Sequence, residues 1–175
     1  NFDREKNNDK AFKHYEKALT FFPYHEYCMT QIVRTLYRKS IFLKSKGNSS
    51  TYKKILKRAN IFSNKVLKKY PKNIDASYMK AGICFERGDY TSALKFFEKT
   101  RKMNPNISEV LQNKAECFTR LDKYEKAIEC LDLKLKNDPK NTDVLFSKGF
   151  NFFQIGNYKK AVEIFEGIRK TDLMK

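Results

Sequence analysis

The sequence predicts an all-α solenoid of antiparallel helix pairs, one unit of which has elongated helices. Three observations point to it. Pro71, Pro105 and Pro139 stand 34 residues apart, as do Lys80, Lys114 and Lys148, and Ala93, Ala127 and Ala161. A fixed period of this size marks stacked supersecondary units that bury their apolar faces against one another. Within each period two amphipathic patterns flank a short turn: Arg87-Gly88-Asp89, Leu121-Asp122-Lys123 and Ile155-Gly156-Asn157. The 175 residues include only four prolines, all at predicted helix boundaries, and six glycines, of which Gly47, Gly88 and Gly156 fall in predicted turns.

Taken in order, residues 1–23 form a partial unit. Phe2 is followed by a helical pattern in which Ala11, Tyr15 and Ala18 share a face, and Pro23 ends it. Residues 26–71 form an elongated hairpin. Its first helix is expected from about Glu26 to Lys44, with Met29, Val33, Leu36 and Leu43 on one side. The turn Ser45–Ser50 is rich in Gly, Asn and Ser. The second helix is expected from about Thr51 to Tyr70, with Tyr52, Leu56, Ala59, Phe62 and Val66 inward. Pro23 and Pro71 are 48 residues apart, 14 more than the period. Shared between two helices, that excess projects the hairpin about 10 Å beyond its neighbours. Residues 74–105, 108–139 and 142–173 are three regular units, with Leu173 where the others carry proline. The whole chain is expected to be one solenoid and a piece of a longer protein. It starts at Asn1, and a bare solenoid end exposes an apolar face.

Composition narrows the class. With 41% hydrophobic and 14% aromatic residues the chain is not disordered, despite 33% charged residues. No apolar run is long enough for a signal peptide or a membrane span. Cys28, Cys84, Cys117 and Cys130 show no CxxC pair or metal-ligand spacing. They read as buried free thiols, which favours a reducing compartment. A cytoplasmic protein is expected, with a cytoskeletal or ciliary setting as a narrower option. No phosphate loop, HExxH or GxSxG is present, and His14 and His25 have no nearby ligand set. No catalytic residue, metal, cofactor or small-molecule substrate is expected.

The repeated residues resemble tetratricopeptide repeats. Counted from three residues after each proline, the eighth place is Ala81, Ala115 and Gly149, small enough for the two helices to approach. The eleventh is Cys84, Phe118 and Phe152; the seventeenth, opening the second helix, is Tyr90, Tyr124 and Tyr158. The twentieth is Ala93, Ala127 and Ala161, and the twenty-fourth Phe97, Leu131 and Phe165. At the fourth place Ser77, Leu111 and Leu145 replace the usual aromatic. Lysine at the seventh is uncommon, with its stem expected to pack while its charge stays wet. The resemblance implies a right-handed superhelix whose first helices line a concave groove that binds protein segments. The groove residues it assigns are Tyr78, Phe85, Gln112, Glu116, Arg120, Phe146, Phe150 and Phe153, with Gly82 and Tyr37 also mapped to the groove. A carboxylate clamp is not expected. Its cationic second place is Asp75, Glu109 and Asp143 here, and its ninth-place Asn is Gly82, Glu116 and Phe150. Phe146, Phe150 and Phe153 form an i, i+4, i+7 stripe on a helix already apolar on its other side, so they meet either a further repeat or a partner.

The net charge of +17 is concentrated. Residues 27–74 hold 13 Lys or Arg and no Asp or Glu. The patch assigned to them is Lys44, Lys46, Lys53, Lys54, Lys57, Arg58, Lys65, Lys68 and Lys69. A Lys/Asn-rich chain can reflect biased codons, but a block of one sign favours an anionic partner. Acidic protein, such as the tails of tubulin, is preferred over RNA because no aromatic platform accompanies the lysines in sequence. The functional expectation is a non-enzymatic scaffold in a multi-protein complex. The alternatives are an RNA-associated repeat protein or an accessory domain of a larger enzyme.

Overall fold

The computed structural model describes the backbone of residues 2–173 and the side chains of residues 10–170, so the Phe2 and Leu173 side chains lie outside it. Among the described residues there are nine α-helices and no strand: α1 (Phe2–Phe21), α2 (Glu26–Ser45), α3 (Ser49–Lys69), α4 (Ile74–Glu86), α5 (Tyr90–Met103), α6 (Glu109–Arg120), α7 (Tyr124–Leu135), α8 (Thr142–Gln154) and α9 (Tyr158–Leu173). They form two compact units, residues 1–89 and 90–175.

Four helix starts, those of α2, α3, α4 and α8, carry side-chain caps. Asn48, Asn73 and Asn141 accept hydrogen bonds from the N–H groups of Thr51, Ala76 and Val144 at 3.3, 2.7 and 3.1 Å. Each satisfies one of the donors that a helix N-terminus leaves unpaired. His25 does the same for α2 through Nδ1, 3.4 Å from the Cys28 nitrogen. The turns inside the helix pairs share one design. The N–H groups of Asn48, Asp89, Lys123 and Asn157 reach back to the carbonyls of Leu43, Cys84, Phe118 and Phe152 at 2.9–3.0 Å. Such a closure needs one residue in the left-handed region. Gly47, Gly88 and Gly156 supply it at φ 72°, 78° and 74°, and Asp122 supplies it at 55°.

In the first unit the long hairpin α2–α3 spans 20 and 21 residues, against 12 to 14 in α4 through α8. Met29, Ile32, Val33 and Leu36 meet Tyr52, Leu56, Ala59 and Val66, with Ala76, Met79 and Ile83 of α4 closing the core. Phe12, Tyr15 and Leu19 of α1 pack against it, a face broader than Ala11, Tyr15 and Ala18. Leu43 and Phe62 are half-buried. In the second unit Ala115, Ala127, Cys130, Leu131 and Val144 form the core, backed by Phe118 and Leu135. The helices pack in chain order, α5 on α6, α6 on α7, α7 on α8 and α8 on α9. At Gly149 a Cβ would lie 2.7 Å from the Phe165 ring, so a side chain there would have to push that ring aside.

Three expectations change. Lys80 does not keep its charge wet: the residue is 7% exposed. Its ammonium donates to the side-chain oxygens of Asn60 and Asn64, both at 2.6 Å. Gly82 does not open a groove, because the Tyr37 ring fills the space where its side chain would stand. Cys28 is only half-buried, whereas Cys84, Cys117 and Cys130 are buried.

Candidate protein-binding groove and basic face

The second unit contains a cavity of about 570 Å³ between α6 and α8. Gln112, Glu116, Thr119 and Arg120 line it from α6, and Phe146, Ser147, Phe150, Asn151 and Gln154 from α8. These side chains face one another because positions i, i+4 and i+7–8 share one side of each helix. Phe146 and Phe150 remain 60% and 41% exposed. Around them the groove is polar. Glu116 and Arg120 form an exposed i,i+4 ion pair at 3.0 Å. Asn151, 2% exposed, donates to the Ser147 carbonyl at 2.7 Å and accepts from the Thr119 hydroxyl at 2.8 Å. It ties the two helices together at the groove floor.

Five of the eight groove residues assigned from sequence, Gln112, Glu116, Arg120, Phe146 and Phe150, therefore line one cavity. Phe153 lies outside it and packs edge-on against Tyr158 at 5.4 Å. Tyr78 and Phe85 are half-buried residues of the first unit. In that unit the corresponding helix faces carry ion pairs instead. Arg34 holds Asp75 at 2.7 Å, and Lys44 holds Glu86 at 2.7 Å. The Tyr52 hydroxyl also donates to Glu86, and burial and that bond push its pKa up to about 12.

The basic residues of α3 occupy its outer face. Lys53, Lys54, Lys57, Arg58, Lys65, Lys68 and Lys69 are all exposed, with Ile61 standing 45% exposed among them. Arg58 is drawn off by Glu16 at 3.7 Å and by the Phe12 ring at 5.3 Å. Lys44 belongs to Glu86, and Lys46 sits over Phe42 at 5.8 Å. Lys65 lies over Phe62 at 5.4 Å and Lys69 over Tyr24 at 5.1 Å.

That last contact had no sequence signal, because 45 residues separate the partners. It brings the α1–α2 turn, with exposed Phe21, Phe22 and Tyr24, to the end of α3. The Tyr70 hydroxyl donates to the Tyr24 carbonyl, and Asn73 donates to Glu26 at 2.8 Å. An exposed aromatic cluster therefore does accompany the lysines.

Comparison with known proteins agrees with this architecture. The model of the family described as anaphase-promoting complex, cyclosome, subunit 3 matches residues 53–133, just under half of the chain. Among solved structures, a double mutant of MamA RS-1 superposes with a TM-score of 0.80 at 19% identity, over 98% of this chain and 88% of that one. YrrB, described as a TPR protein with an unusual peptide-binding site, gives 0.72 at 18% identity over 92% and 76%. PilF of Pseudomonas aeruginosa gives 0.72 at 15% identity over 97% and 71%. The chain has the tetratricopeptide-repeat fold.

The repeat register then explains the lysines at the seventh place. Each reaches back to the preceding helix, to residues that are themselves one period apart: Asn64, Glu98 and Asp132. Lys114 binds Glu98 and Lys148 binds Asp132 at 2.6 Å, and the bond from Lys114 holds the Glu98 carboxyl below its ordinary range. Where the tetratricopeptide repeats of the second unit use a carboxylate, the first offers Lys80 neutral amides. Burial lowers the Lys80 pKa.

Proposed function

We propose that this tetratricopeptide repeat protein is a non-catalytic interaction scaffold. It seats a peptide segment between α6 and α8 and docks an anionic surface on α3. The observation that carries it is the groove itself. Two phenylalanine rings, costly to leave in water, stand beside amide side chains that can hydrogen-bond a peptide backbone. The peptide-binding site ascribed to YrrB supports a peptide as ligand. Similarity to a subunit of the anaphase-promoting complex supports work inside an assembly. For the basic face, the absence of any acid over residues 27–74 supports an anionic partner.

The test is panning a random peptide library on the full chain, followed by titration of the enriched peptides. Phe150→Glu should weaken them at least about tenfold, as loss of a central apolar anchor does. Peptides that bind the variant and the parent equally would place the site elsewhere, and an empty selection would remove the groove reading.

A further inference from the structure

The repeat register isolates one feature that the stacking of repeats does not require. At the turns between units, the places of Phe21, Phe22 and Tyr24 are filled by Lys69, Tyr70 and Lys72, then by Met103, Asn104 and Asn106, then by Asn137, Asp138 and Lys140. The third place is polar and exposed in all three of those turns, and the other two places carry no phenylalanine. In the first turn they are three aromatics exposed by 71%, 66% and 65%. The Phe22 carbonyl accepts from the His25 nitrogen at 3.1 Å, which holds the turn tight beneath the rings.

Positive charge predominates around this turn. The ammonium of Lys69 lies 5.1 Å from the Tyr24 ring centre. Lys65 and Lys68 occupy the last turns of the same helix, and Lys72 follows Tyr70, whose hydroxyl is bonded to the Tyr24 carbonyl. The nearby carboxylate, Glu26, is held by Asn73 at 2.8 Å.

We infer that the α1–α2 turn is a peripheral membrane-docking tip, inserting Phe21 and Phe22 into an anionic lipid surface while Lys65, Lys68, Lys69 and Lys72 bind its headgroups. The chemistry favours lipid over other anions. Single-stranded nucleic-acid sites combine stacking aromatics with arginine planes, whereas these four cations are all lysine. A bilayer interface accepts apolar rings at the acyl boundary, tyrosine at headgroup level and lysine stems that keep their charge outward. No helix among the described residues is long and apolar enough to cross a membrane, so the mode is adsorption. This deepens the reading of the basic face and rests on it, and it is independent of the peptide groove.

The sequence contains no tryptophan, so Phe22→Trp introduces a single reporter into the full chain. With phosphatidylcholine vesicles containing phosphatidylserine, its emission should shift to the blue and be quenched by brominated acyl chains. With phosphatidylcholine alone it should do neither. In the unlabelled chain, Phe21→Ser with Phe22→Ser should lower partitioning at least about tenfold. Lys68→Glu with Lys72→Glu should lower it by roughly fivefold or more per residue. Since all four side chains are exposed, these variants should keep the parent circular dichroism. Emission unchanged on phosphatidylserine vesicles overturns the inference, as does binding that survives loss of both phenylalanines. Polyglutamate or an RNA oligonucleotide bound in place of vesicles overturns it while leaving the basic face as an anion site. Failure of all three anions removes both readings.

Discussion

At the scale of single residues, Lys80 shows how a repeat tolerates a broken rule. Its register predicts a carboxylate at position 64, as at 98 and 132, yet the residue there is Asn64. The ammonium is buried and hydrogen-bonded to Asn60 and Asn64, and its pKa is lowered by desolvation. A base whose folded pKa is lowered weighs against folding at every pH below that value. The penalty fades as pH rises through it towards the unfolded value near 10.5. Asn64→Asp should therefore stabilise the chain by about 1 kcal/mol at neutral pH through a charge-assisted bond. That gain should shrink as pH rises through the Lys80 pKa in urea titrations of both proteins. Above about pH 10 the Tyr52 phenol, neutral in the fold until about 12, acts in the opposite sense. The unfolded chain then loses a proton that the folded chain keeps, so the stability of both proteins falls. Ser77 is the other local exception. It stands at the fourth place of its unit, 0% exposed, and its hydroxyl has no hydrogen-bond partner among the described residues. Ser77→Ala should raise the urea midpoint by an amount equivalent to about 1 kcal/mol, since it removes a desolvated polar group without adding volume.

At the scale of elements, the helices were legible because their signals are local. Asparagine caps, glycine closures and apolar spacing fall within single turns, and the 14-residue excess placed the elongated hairpin. What escaped were meetings between elements: Tyr24 under Lys69, Arg34 on Asp75, and Lys80 between Asn60 and Asn64. Each joins residues 16 or more positions apart whose types are ordinary on a helix surface. His25, which has no ligand set nearby, serves as the cap of α2. Of the groove, Gln112, Glu116, Arg120, Phe146 and Phe150 were placed by register, whereas Asn151 at its floor and the closing of the earlier face by Tyr37 on Gly82 were not. The turn design itself supports a test. Asp122 holds a left-handed φ of 55° where the three sister turns have glycine. Its carboxylate accepts from the Tyr124 hydroxyl at 2.7 Å, an exposed bond of small net worth. Asp122→Gly should relieve the backbone and stabilise the chain by about 0.5 kcal/mol. The converse, Gly156→Val, should cost about 1–2 kcal/mol because a β-branched residue resists that conformation. Thermal midpoints moving in the same direction in both variants would disprove a shared turn geometry.

At the scale of the whole molecule, charge is the property that no single contact explains. The first unit carries 20 basic and 8 acidic residues, the second 17 and 12. In the first unit, salt would weaken the attractive pairs Arg34–Asp75, Lys44–Glu86 and Arg58–Glu16. It would also relieve repulsion along α3, where Lys53 and Lys57, Lys54 and Lys57, Lys54 and Arg58, Lys65 and Lys68, and Lys65 and Lys69 stand three or four residues apart. Like charges at that spacing cost about 0.2–0.5 kcal/mol each, so these pairs together cost about 1–2 kcal/mol. The three attractive pairs are partly exposed and individually worth no more than about 1 kcal/mol. The two sums overlap on these pairs alone, and the remaining basic residues of an acid-free block tip the balance towards repulsion, so screening should remove more repulsion than attraction. Amide exchange measured along the full chain reads this locally. Raising salt from about 0.02 to about 0.2 M, where screening shortens to roughly 10 Å or less, should increase protection in α3 more than in α6 and α7. Lys54→Glu with Lys57→Glu should give α3 the same added protection at low salt and leave little for salt to add. Protection of α3 that falls with salt would mean that the ion pairs to α1 and α4 outweigh the block's repulsion. The basic face would then be held together by its charges rather than held ready for an anion.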